Sequence, residues 1–457
     1  MILLIKPTLE SSRMAKVAKN IAVIGAGYTG LVAGVRLAEA GHKITILERG
    51  DQIGGLASGF KVEGSSLERG YHHLFRTDKY IINMADELGI GDRLKWYDSS
   101  LSIYYGRKLY PFMTAFDLLR FAPLSFIGRL RLGLVAIYLK YTKNWQQLEN
   151  VTAYEWMKKW VGKEVTKVIW EPLLIGKFDK YYDKVSMAWL WARVYTRANS
   201  RVKGELAEKL GYFEGGFQVF TDALAKKLDE LNIKVRTEQE IAKIISLSNN
   251  KVQINFISSK PEIYNVCLVT TPSHIFAKLI ESNRQAKPSY INKLKSIDYL
   301  GARLLIFSSN QDISEYYWHN INDVNLPFLV FINHTKLVGK DLYNNKNVYY
   351  IGVYLPHDHR FFNLDDRKLE KLWFDGLKQI FPNFKESEIR EKHHFRFANA
   401  QHIVDVGYSK KIPLHETPLP NIYLANFSQV YPEDRGTNYA VRDGQRIADI
   451  IKANIEL

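Results

Sequence analysis

The sequence predicts an α/β fold, a Rossmann-like parallel sheet with helices, joined to a second domain. Three observations predict it. The β-branched run Asn20-Ile21-Ala22-Val23-Ile24 leads into Gly25-Ala26-Gly27-Tyr28-Thr29-Gly30 and then into a helix-patterned segment that reaches Gly41. The alternating run Lys43-Ile44-Thr45-Ile46-Leu47 ends in Glu48, about 20 residues past the glycine turn. Finally, 457 residues exceed what one hydrophobic core sustains, so two packed domains are expected.

In a turn of this kind Gly25 permits the sharp reversal, Gly27 lets backbone approach a pyrophosphate, and Gly30 lets helix and strand pack closely. The phosphate then rests on the free N–H groups of the helix start, at Tyr28 and Thr29. A carboxylate at Glu48 accepts from a ribose hydroxyl pair and repels a 2′-phosphate, which favours an ADP-like nucleotide over NADP.

The other elements follow in order. Residues 1–17 read as an N-terminal extension, with Met14 an alternative start. Spacing predicts helices over 81–88 and 115–139, and the 145–191 block adds aromatic-rich helices. Gly215-Gly216-Phe217 opens an amphipathic helix over 219–231, followed by strands at 233–236 and 251–256. The run 263–272, which contains the only cysteine, Cys267, reads as a buried strand ended by Pro272. Segments 304–307, 328–332 and 348–354 are strand-like and suit a mixed sheet; a helix over 367–381 precedes a last strand at 422–425.

After Glu48-Arg49 comes Gly54-Gly55-Leu56-Ala57, a second small-residue turn placed to meet the same pyrophosphate. With Gly34 and Gly41, this N-terminal signature resembles that of the flavin-containing amine oxidase superfamily, which includes protoporphyrinogen oxidases and carotenoid desaturases. The resemblance implies FAD, held non-covalently. It also implies a third, C-terminal piece, and Ile422-Tyr423-Leu424-Ala425-Asn426 with Arg435-Gly436-Thr437-Asn438 is similar to it. By the same resemblance both domains are assembled from separated segments: 18–75, 205–272 and 395–457 in the FAD-binding domain, 76–204 and 273–394 in a mixed α+β substrate domain.

A flavin brings its own redox chemistry, so the site residues to seek are those that position substrate and stabilise charge on the ring. A helix beginning near Gly436-Thr437-Asn438 aims its positive end at the ring edge that becomes anionic on reduction, and Arg435 adds a full charge. Where related chains often carry an acid after the C-terminal strand, this one has Asn426-Phe427; Asn426, Glu433 or Asp434 takes that part. In Arg69-Gly70-Tyr71-His72-His73, the residues Tyr71, His72 and His73 are candidates to line the ring, and either histidine to donate to a flavin oxygen or to relay a proton near neutral pH. An interior, hydrogen-bonded histidine is the competing reading for each. The remaining histidines lack the cysteine or carboxylate spacing of a metal site, so no metal is expected.

The function this implies is an FAD-dependent oxidoreductase that takes hydride from a small or apolar substrate and passes electrons to oxygen, a quinone or another acceptor. The alternative is a non-redox mutase acting on a nucleotide sugar. Segments 70–77 and 435–439 are similar to UDP-galactopyranose mutases, in which paired arginines clamp a diphosphate; Arg435 is then one, and Arg193, Arg197 or Arg201 the second.

A net charge of +15 favours anionic partners, but the basic residues are scattered and no nucleic-acid motif accompanies them. One cysteine excludes an internal disulfide and suits a reducing, cytoplasmic setting. The nearest approach to a membrane segment is 118–141, which is interrupted by Arg120, Arg129, Arg131 and Lys140. It reads as a packed helix of the substrate domain, or as an interfacial helix in peripheral contact with the inner face of a membrane.

Overall fold

A computed structural model describes residues 18–201 and 208–455. The 1–17 extension and the domain boundary placed at 204/205 lie outside the described residues.

Five strands form a fully parallel sheet in the order Lys234–Arg236, Lys43–Leu47, Asn20–Ile24, Val266–Val269, Ile422–Leu424. The chain thus runs outward from a central first strand in both directions, and the order reverses beside Asn20–Ile24, where open α/β sheets place their ligand crevice. Residues alternate between two cores: Ile21 and Val23 face one, Ala22 and Ile24 the other. The helices Tyr28–Glu39 and Thr437–Ile455 pack on each other, with Gly444 against the Thr29 carbonyl and Val32.

A second, seven-stranded sheet is mixed, in the order Ile389–His402, Tyr299–Ser309, Asn347–Leu355, Val330–Asn333, Trp318–Ile321, Leu101–Tyr105, Lys108–Pro111. One face, including Leu305, Phe307 and Ile351, packs on Trp373, Phe374 and Leu377 of the helix Asp366–Ile380. The other face, through Ala302, Leu304, Gly352 and Tyr354, floors a cavity.

Two expectations need correction. The strand Ile389–His402 pairs along the strand Tyr299–Ser309, with Phe395 opposite Leu304. Position 395 therefore falls inside the mixed sheet, and the chain rejoins the parallel sheet only at Ile422. The single helix read over 115–139 is two, Ala115–Arg120 and Phe126–Tyr141. Pro123 bars the α conformation at Ala122 and cannot donate within a helix, and buried Phe121 anchors the break.

Candidate functional site

The glycine turn lies at the carboxyl end of the central strand. At Gly30 a Cβ would stand 2.1 Å from the Gly25 carbonyl oxygen, so the helix can start this close to its strand only without a side chain. Gly27 differs: a Cβ there would meet nothing nearer than the Gly55 Cα at 4.0 Å and would project into open space. The second small-residue turn closes on the first, the Gly54 N–H donating to the Ala26 carbonyl at 2.8 Å. The helix Tyr28–Glu39 starts without a side-chain cap or an acid in its first turn, which leaves its N–H groups available to an anion.

Glu48 reaches this turn. Its Oε2 accepts from the Ala26 N–H at 2.8 Å and its Oε1 from the Gly50 N–H at 2.7 Å, which fixes the carboxylate while leaving a lone pair on each oxygen. Arg49 beside it is exposed. Tyr28 contributes backbone alone: its ring is buried and its hydroxyl meets Thr221 Oγ1 at 3.0 Å.

Leu56, next to Gly55, is part of the wall of a cavity of about 510 Å³, so turn and cavity are contiguous. His72, His73, Arg435, Gly436, Thr437 and Asn438 also line it. The helix Thr437–Ile455 begins at this wall, so its unpaired N–H groups face the cavity. The Asn438 side chain serves the fold instead, its Oδ1 accepting from the Tyr80 N–H at 2.9 Å at the start of the helix Lys79–Glu87. Asn426 is likewise spent: its Nδ2 donates to the Thr271 carbonyl at 2.8 Å and its Oδ1 accepts from the Ser428 N–H at 3.0 Å. Glu433 pairs with Arg442, whereas Asp434 lines the cavity.

The two histidines are neutral at physiological pH. Burial pulls His72 down to about 4, although its Nδ1 lies 2.6 Å from the Gly70 carbonyl. Burial, with Arg197 nearby, pulls His73 to about 3, and its Nδ1 lies 3.2 Å from the Tyr317 hydroxyl. Neither ring ionises near pH 7, so a relay through imidazolium is unavailable, while donation from a neutral ring is.

Sequence reading missed how the cavity's charges are arranged. Asp434 Oδ2 accepts from Arg193 Nη1 at 2.5 Å and lies 3.0 Å from Lys177 Nζ. Burial opposes its ionisation, yet Lys177, Arg193 and Arg435 together hold the carboxyl far below the usual carboxylate range. Arg435 donates to the Tyr354 hydroxyl at 2.8 Å, and its Nε is buried without a hydrogen-bond partner. Arg193, Arg197 and Arg201 all share the cavity with it. Lys177 and Tyr354 carry no local signature; only long-range folding brings them here.

An open space above Gly27, an uncapped helix start, an anchored carboxylate at the end of the second strand and an unmet guanidinium N–H in the cavity wall together fit a flavin nucleotide. A family model described as flavin containing amine oxidoreductase matches residues 28–452. The chain belongs to this family. Its members therefore supply the coarse activity, a flavin-dependent oxidoreductase.

Among relatives of this flavin family, the chain is 24% identical to mitochondrial protoporphyrinogen oxidase of Nicotiana tabacum over 65% of its own length and 67% of the relative's. It is 22% identical to 15-cis-phytoene desaturase of Solanum lycopersicum over 96% and 78%. Two solved structures share the fold: a candidate protoporphyrinogen oxidase from Exiguobacterium (TM-score 0.76, 18% identity, 96% of this chain and 100% of that one) and putrescine oxidase bound to putrescine (0.70, 14%, 96% and 99%). None of these four is a UDP-galactopyranose mutase, and the likeness expected there finds no support among them.

Proposed function

We propose that the protein binds FAD and oxidises an apolar molecule that carries an anionic end. The adenylate half fits the crevice between Gly27, Glu48 and Gly54-Gly55, and the ring end fits the cavity beside Leu56, His72, His73 and Gly436. When bound, the flavin supplies two-electron acceptance. The protein's part is to position, to exclude water and to set charge. The start of the helix Thr437–Ile455 and the Arg435 guanidinium favour negative charge in the cavity. The single cysteine is sealed within the parallel sheet, away from the cavity, so no thiol is offered to the ring.

The observation that carries the substrate class is the cavity's composition. Leu101, Ile103, Phe112, Ile169, Leu304 and Trp318 are among its apolar walls, and Lys177, Arg193, Arg197, Arg201 and Arg435 its cations. The acids facing them, Asp78, Glu208 and Asp434, are fewer. Asp434 is consumed by Lys177 and Arg193, and Glu208 lies 3.6 Å from Arg197. Such a cavity repels a diamine such as putrescine and attracts a carboxylate on an apolar frame.

The test is anaerobic bleaching of the bound flavin. Porphyrinogens, polyenoic acids and neutral polyenes are compared with putrescine and benzylamine. Bleaching by an apolar carboxylate, with none by the amines, supports the reading; bleaching by amines alone overturns it.

A further inference from the structure

Among the described residues, ten of the eighteen large apolar side chains that stand exposed lie between Phe116 and Trp160. Most belong to the helix Phe126–Tyr141, whose two faces differ sharply. Leu132, Val135 and Leu139 are buried, and the Leu139 carbonyl accepts from Trp191 Nε1 at 3.1 Å, so this face is the one seated on the protein. The opposite face shows Phe126, Leu130, Leu134, Ile137, Tyr138 and Tyr141 at helical spacing, with Leu134 67% and Tyr141 72% exposed. Phe116 and Leu119 of the preceding short helix extend it, and the two helices pack on each other. Monomeric proteins rarely leave a continuous apolar surface of this kind in water.

The rim of the surface identifies what covers it. Residues 115–167 hold nine lysines and arginines against four acids. Their cationic heads stand over aromatic rings at the edge: Arg120 over Phe116 at 3.8 Å, Lys159 over Trp160 at 5.6 Å and Lys140 over Tyr141 at 5.7 Å. Tyr138 of the helix stacks on Trp156, which lies tilted against Trp160. Apolar side chains ringed by tryptophan, tyrosine and basic residues match the depth profile of an anionic lipid surface, apolar below, aromatic at the headgroups and cationic above. No described helix is long and apolar enough to cross a membrane, so the contact lies in the plane of one leaflet.

We propose that the helices Ala115–Arg120 and Phe126–Tyr141 dock the protein on an anionic lipid bilayer. The same segment reaches the cavity. Phe112 and Met113 are part of the cavity wall, and the Met113 N–H donates to Asp117 in the first turn of the docking helices at 2.9 Å. Docking therefore brings the leaflet beside the cavity's apolar wall, the side from which a lipid-dissolved substrate arrives. The surface is independent of the flavin reading and is tested without turnover.

The experiment is co-sedimentation of the full chain, as purified, with phosphatidylcholine vesicles containing phosphatidylglycerol and with pure phosphatidylcholine vesicles, at low and high salt. The variant Leu130→Ser/Leu134→Ser/Ile137→Ser is compared; all three positions are exposed, and near-ultraviolet circular dichroism verifies its fold. The expected result is binding to the anionic vesicles, weakened by salt and by omission of phosphatidylglycerol, and reduced at least about tenfold in the variant. Absence of binding by the parent chain, equal binding by the variant, or a parent dimer that the variant dissolves would each overturn the proposal; the dimer would mean that a second copy covers the face.

Discussion

Arg193 Nη1 donates to Asp434 Oδ2 at 2.5 Å across 241 residues of sequence, tying the helix Met187–Ser200 to the segment that opens the final helix. Lys177 joins the same oxygen, so one carboxylate holds two cations in the cavity wall. Asp434→Asn leaves both without their anion at a buried site, and a loss of about 3 kcal/mol in unfolding free energy is expected. The carboxyl is depressed on folding, so its contribution is present above the unfolded value of about 4 and fades as pH falls below it. Urea unfolding at neutral pH and again in acid checks this: the gap between parent and variant narrows in acid.

Gly27 and Gly30 separate binding from folding. Gly30→Ala forces a Cβ against the Gly25 carbonyl, and about 3 kcal/mol of destabilisation is expected. Gly27→Ala places its methyl in open space and leaves the apoprotein's melting temperature within about a degree, while flavin retention on gel filtration drops severalfold. Equal losses of stability in both variants would contradict the open space above Gly27.

At Glu48 the carboxylate receives two backbone N–H groups and, in the proposed function, also accepts from the ribose of the flavin nucleotide. Glu48→Ala is expected to release flavin and to destabilise the turn by about 1–3 kcal/mol, because the Ala26 and Gly50 N–H groups lose their acceptor. Glu48→Gln keeps one acceptor oxygen and retains part of the flavin. The absorbance ratio of flavin to protein after desalting orders the three proteins.

Glu68 is sealed between strands, accepting from the Tyr212 hydroxyl at 2.7 Å and the Phe217 N–H at 2.5 Å. Burial pushes its carboxyl up to about 7. A carboxyl raised on folding binds its proton more tightly in the native state, so it costs stability as pH rises from the unfolded value toward 7 and above. Glu68→Gln removes this slope. Its melting temperature gains on the parent's between about pH 5 and pH 8, and a constant difference would show that Glu68 does not titrate there.

Local chemistry made the nucleotide half legible. A β-branched strand, a turn that only glycine can pack and an acid at the end of the next strand are written within 30 residues, because each contact is between near neighbours. The helix at Thr437 was legible in the same way. The break at Pro123 was readable from proline chemistry, but the apolar residues on both sides share one helical period and masked it. The long strand Ile389–His402 was not read, and the boundary set at 394/395 cut through it, because its alternation of charged and aromatic residues does not reveal which sheet it joins.

By itself, then, the sequence determined the parallel α/β core, the glycine turn and the anchored carboxylate, since these depend on backbone conformation and short-range spacing. Only the tertiary structure decided where His72, Lys177, Arg193, Tyr354 and Asp434 meet, and that burial keeps the histidines neutral while neighbouring cations keep the aspartate charged. It also decided which face of the helix Phe126–Tyr141 is left to the outside. The physical reason is the same in each case: desolvation and charge pairing arise from segments hundreds of residues apart, and no local pattern encodes them.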